Sequence, residues 1–78
     1  MKEIESKDRI TIQIADSLDG EKLVVEIILD DLVIIEISKI DDKLASRILV
    51  STNCQSQPID FSLFREALRI AAEQAETL

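Results

Sequence analysis

Apolar and polar positions change period along the chain, and the changes mark out the elements. Ile10, Ile12 and Ile14 alternate with Thr11 and Gln13, the two-residue period of a strand with one buried face. Two denser runs follow, roughly Lys22 to Leu29 and Val33 to Ser38, rich in Ile and Val, whose branched side chains suit a pleated surface. DSLDG, residues 16 to 20, supplies a turn into the first of these runs through aspartates and the single glycine. Asp30-Asp31 separates the two runs. After the polar stretch Asp41 to Lys43, SRILVST, residues 46 to 52, predicts a fourth strand with Ile48 and Val50 on one face, and NCQSQ predicts a polar loop.

The period then lengthens. Asp60 is placed as a helix N-cap, with Ile59 before it and Phe64 after it as a hydrophobic staple, and the helix is expected to run to about Thr77. Phe61, Phe64, Ala67, Leu68, Ala71 and Ala75 fall at three- and four-residue spacing on one narrow, alanine-rich face; Arg65, Arg69, Glu73 and Glu76 fall largely elsewhere. The expected fold is α+β: a four-stranded antiparallel β-meander with one C-terminal α-helix packed on one face (ββββα), a single domain over residues 1–78.

The central hairpin offers two registers. A two-residue Asp30-Asp31 loop pairs Leu29 with Leu32 and Val25 with Glu36, which puts a glutamate on each face. A three-residue loop, Asp30 to Leu32, pairs Leu29 with Val33, Ile27 with Ile35 and Val25 with Ile37, and sets Glu26 against Glu36 on the face away from the helix. That like-charge pair costs about 0.2 to 1 kcal/mol in water. Burying an unpaired carboxylate beneath the helix costs several kcal/mol, so the three-residue loop is expected, with the odd-numbered residues inside.

Charge narrows the functional classes. Sixteen acidic and nine basic residues leave a net charge of −7, which repels nucleic-acid backbones and anionic lipid and favours a basic partner. The ββββα order resembles the plan of single-stranded-DNA-binding transcriptional coactivators, which would imply DNA binding. The acidity opposes that, and the two aromatics, Phe61 and Phe64, are expected in the core rather than on a stacking surface. With no histidine, no tyrosine and no base beside the single Cys54, an enzyme is not expected. The lone cysteine, the absence of an apolar leader in MKEIESKDRI and the absence of a run of about 20 apolar residues point to a cytoplasmic chain independent of disulfides and membranes.

A chain this short buries only about 60% of its unfolded surface, so help from a partner is expected. Two surfaces are candidates for protein binding. One is the outer sheet face, with Val24, Ile28 and Ile34 around Glu26 and Glu36, suited either to a basic protein or to a second copy in a homodimer. The other is an acidic end: in a meander the first and third loops emerge together, which gathers Asp16, Asp19 and Glu21 near Asp41 and Asp42. DSLDGE lacks the alternating ligands of a calcium loop, and no metal or cofactor is expected. The expected function is non-enzymatic protein binding, of the kind by which a small acidic immunity or antitoxin protein neutralises a basic, nuclease-like toxin. The alternatives are a homodimer formed through the outer sheet face and a small carboxylate-dependent enzyme using Asp16, Asp19, Asp41 and Asp42.

Overall fold

The computed structural model describes residues 2–17, 19–49 and 58–78. Five strands, β1 (Lys2–Lys7), β2 (Ile10–Asp16), β3 (Leu23–Leu29), β4 (Leu32–Ile40) and β5 (Lys43–Ile48), form one antiparallel sheet in the order β1-β2-β3-β4-β5. Helix α1 (Phe61–Glu76) follows and crosses one face. The class is α+β as expected, but the meander has five strands and the element order is βββββα.

The additional strand is β1. It has no apolar alternation, only Ile4 among Lys2, Glu3, Glu5 and Lys7, and it is defined by its pairing: Lys7 lies opposite Ile10 across Asp8-Arg9, with Asp8 at φ +54°. β5 begins three residues before the strand expected at Ser46, because Asp41-Asp42 closes a tight hairpin that pairs Ile40 with Lys43. Val50 to Gln57, including Cys54, lie outside the described residues.

Aspartate pairs shape these turns. Asp30 and Asp31 stand at φ +49° and +68°, Asp41 and Asp42 at +51° and +64°. Positive φ at both central positions is the I′ pattern, whose twist matches that of the flanking strands, and aspartate tolerates it better than most non-glycine residues.

The central hairpin combines the two registers weighed above. Its tip is the two-residue loop, with Leu29 opposite Leu32 and Ile28 opposite Val33; a bulge at Ile34 then shifts the pairing by one residue, giving Ile27–Ile35, Glu26–Glu36 and Val25–Ile37. The bulge reconciles the I′ turn preferred by Asp-Asp with the parity required by the glutamates. Two placements change as a result. Ile34, expected outside, packs against the helix-side core, and Val33, expected inside, shares the opposite face with Ile28.

The core lies between sheet and helix: Ile10 and Ile12 on β2, Val25 and Ile27 on β3, and Ile37 on β4 meet Ala67, Ala71 and Ala75. The alanines let the helix axis approach the sheet closely. Ile59 and Phe64 both pack on this core, and the Phe64 amide donates to the Asp60 carbonyl at 3.1 Å, although the Asp60 side chain makes no capping hydrogen bond. Phe61 is 70% exposed rather than buried. The buried stripe also includes Leu63 and Ile70, and at about 100° per residue this turns its centre roughly 90° away from Phe61. Arg65 stacks on the exposed Phe61 ring instead, 5.8 Å from its centroid.

Candidate protein-binding surfaces

The face opposite the helix carries a polar row that crosses every strand. Glu3, Gln13, Glu26, Glu36 and Arg47 are successive cross-strand partners from β1 to β5. The sequence reading places Glu26 and Glu36 on this face, and they are there, but they are not in water: they are 6% and 4% exposed. Gln13 Nε2 donates to Glu26 Oε1 at 2.7 Å, and Arg47 Nη1 stands 3.7 Å from Glu36 Oε1. Long side chains from the flanking strands thus close over the middle ones. Val24, 2% exposed, is buried beside them with Ala15 and Ser17, and Ile28 is half-buried. Of the five residues proposed for this face, four lie on it and Ile34 lies on the other. A recess of about 140 Å³ remains, lined by Ser17, Lys22, Val24, Glu36, Ser38 and Arg47 among others.

The β2–β3 and β4–β5 connections leave the sheet at the same end, because each neighbouring pair of strands in the meander is antiparallel. Asp16, Asp19, Glu21, Asp41 and Asp42 are all exposed. Asp19 is engaged locally: its carboxylate accepts from the Ser17 hydroxyl and, at 3.1 Å, from the Glu21 amide. These bonds, the hydroxyl first, hold the Asp19 carboxyl below the usual carboxylate range. Among the described residues, no group of three or more metal-ligating side chains is placed to hold an ion.

A third surface has only a weak signature in the sequence. α1 lies mainly over β3 and β4 and stops short of β1, which leaves a cleft along each side of the helix. The cleft toward β1, about 410 Å³, has an apolar floor but a rim of Glu5, Lys7, Asp60 and Glu66. The cleft toward β5, about 400 Å³, is apolar: Ile35, Ile37, Leu44, Ile48, Leu68 and Ala72 line it. Leu44 and Ile48 are 37% and 71% exposed there, and all six residues of β5, an edge strand of the sheet among the described residues, are exposed. The exposed Leu44-x-x-x-Ile48 spacing was its one available sign.

The two edges differ. β1 carries four charges and a bulge between Glu3 and Glu5, features that discourage strand addition. β5 pairs with β4 in unbroken register and carries two charges, Lys43 and Arg47, both on the face away from the helix. No helix among the described residues is long and apolar enough to cross a membrane. No protein-family model, no curated protein and no solved structure matches this chain.

Proposed function

We propose that the protein is a non-enzymatic protein-binding module that takes up an extended strand along β5. The observation that carries this reading is the regular, exposed β5 edge beside an apolar cleft that already contains Leu44 and Ile48. Strand addition uses both parts, since main-chain hydrogen bonds give affinity and pockets for alternate side chains give specificity. Panning a random peptide library on the immobilised protein tests it. Binders are expected to alternate apolar and polar residues, and the double variant Leu44→Lys, Ile48→Lys is expected to lose them. Binders that retain full affinity for this folded variant would sink the reading.

The net charge of −7 supports a second reading, in which the exposed Asp16, Glu21, Asp41 and Asp42 receive a basic protein, as an immunity- or antitoxin-like inhibitor would receive its toxin. Asn substitution at Asp41 and Asp42 removes charge while keeping a residue that tolerates positive φ. A basic protein retained from the native host should then be released both by salt and by these variants; retention indifferent to both rules this site out.

A further inference from the structure

We infer that the strand β5 receives is β5 of a second copy, paired antiparallel about Ser46, so that two five-stranded sheets join edge to edge. The inference rests on the reading of β5 as a binding edge and names its occupant.

Backbone direction comes first. The Leu49 amide donates to the Ile34 carbonyl at 2.8 Å, so Leu49 and, by alternation, Arg47, Ala45 and Lys43 turn their main-chain groups toward β4. Leu44, Ser46 and Ile48 therefore turn theirs off the sheet, to the free edge. In a two-fold pairing about Ser46 these three residues meet as Leu44–Ile48, Ser46–Ser46 and Ile48–Leu44, each a pair whose N–H and C=O groups face one another.

Side chains select that register. Centring on Ala45 sets Lys43 opposite Arg47 twice, and centring on Arg47 sets the two arginines opposite each other; like charges directly opposite are destabilising. Centring on Leu44 leaves half of the strand without a strand partner. Centring on Ser46 pairs Leu44 with Ile48 on the helix side, at both ends, and sets each Arg47 opposite Ala45 and each Lys43 opposite Leu49. Both cations then face neutral residues, and Arg47 keeps Glu36 of its own chain beside it at 3.7 Å. The two apolar clefts meet along the seam, each adding Leu68 and Ala72 to the joined apolar surface.

Charge also sets the sign of the salt response. Two chains of −7 repel at long range, so salt should tighten a dimer held by apolar and main-chain contacts, whereas it would weaken a complex with a basic partner.

Sedimentation of the full chain from micromolar to millimolar concentration, at low and high salt, tests the inference together with Ala45→Glu and Ala45→Lys. Ala45 is exposed and away from the core, and cooperative melting confirms that each variant folds. A dimer that tightens with salt is expected. Ala45→Glu, which sets a carboxylate opposite Arg47, should strengthen it, and Ala45→Lys, which sets a second cation there, should weaken it, each by about two- to thirtyfold over the two symmetric contacts. No self-association at millimolar concentration in high salt overturns the inference, as does a shift in the same direction for both variants. If the chain stays monomeric while library peptides bind β5, the edge reading stands and the second copy falls as its occupant; if the peptides also fail, both fall.

Discussion

Val25 and Ile27 on the helix side of β3 are fully buried beneath a row of alanines, while their chain neighbours Val24 and Glu26, on the side with no helix, are 2% and 6% exposed. Four consecutive residues of one strand are thus buried alternately by two different means. On the helix side a second layer of structure removes water. On the other side closure is lateral: Gln13 reaches Glu26 and Arg47 reaches toward Glu36 across the strands. The first kind of burial is apolar and closed directly beneath the helix, with open clefts only along its flanks; the second includes two carboxylates and leaves a recess beside the buried strand itself. The run KLVVEIIL is apolar on both parities because both faces of β3 are buried, only one of them by the helix.

The largest test of this difference is truncation. Ile27→Ala removes three carbon groups from a site closed on all sides and adds a trapped cavity to the transfer loss, so about 2 to 5 kcal/mol is expected. Total stability for a chain of this size is of order 4 to 12 kcal/mol, so this variant should melt early or not fold. Val24→Ala removes two groups from a face that water reaches through the recess, and about 1.6 kcal/mol by transfer alone is expected. Urea unfolding of the two variants measures the gap, and equal losses would show that the open face is packed as tightly as the closed one.

A smaller effect of opposite sign is expected at Glu26→Gln. The Gln13 hydrogen bond survives, because an amide oxygen still accepts, while one of two facing charges disappears; stability should rise by about 0.2 to 1 kcal/mol. A loss beyond about 1 kcal/mol would mean that the buried charge is itself held by favourable contacts, and the lateral face would then be a designed ionic row rather than a tolerated one.

Much of this was legible from period and parity. The two glutamates of the central hairpin fixed which residues of β3 face the helix, and the alanine spacing marked the helix and the centre of its packed face, though not the outward turn of Phe61. Three features of the sheet's faces and edges were not legible, each for a physical reason. β1 has no apolar period because it is an edge strand with one half-buried residue, Ile4. The bulge at Ile34 is a compromise between turn and face, visible only once both constraints act together. The burial of Glu26 and Glu36 depends on side chains from β2 and β5, and cross-strand neighbours of that kind follow from register, not from local pattern. The acidic turns carry the complementary lesson. Asp8, Asp30, Asp31, Asp41 and Asp42 all stand at positive φ, so five of the sixteen acidic residues answer a backbone requirement whatever else their charge does.

The smallest expected effect lies where the closed face is tied at its end. Arg9 donates through Nε to Asp30 Oδ1 at 2.8 Å, through Nη2 to Asp30 Oδ2, and through Nη1 to the Pro58 carbonyl at 3.0 Å, joining two turns to the segment that leads into α1. These hydrogen bonds hold the Asp30 carboxyl below its ordinary range, while Arg9 stays cationic throughout. A depressed carboxyl pKa means that Asp30 contributes its stability above the ordinary carboxylate range and loses it as pH falls through the lowered value. Asp30 is exposed and Arg9 only half-buried, so solvent keeps the effect small. Acidification should therefore speed amide exchange in the first turn of α1 while Val24 to Ile27 stay protected. Asp30→Asn should show faster exchange there already at neutral pH and a smaller further change on acidification. If acid instead opens the strands around Glu26 and Glu36 first, the lateral face is the weaker of the two, and the helix end is held by its core rather than by Arg9.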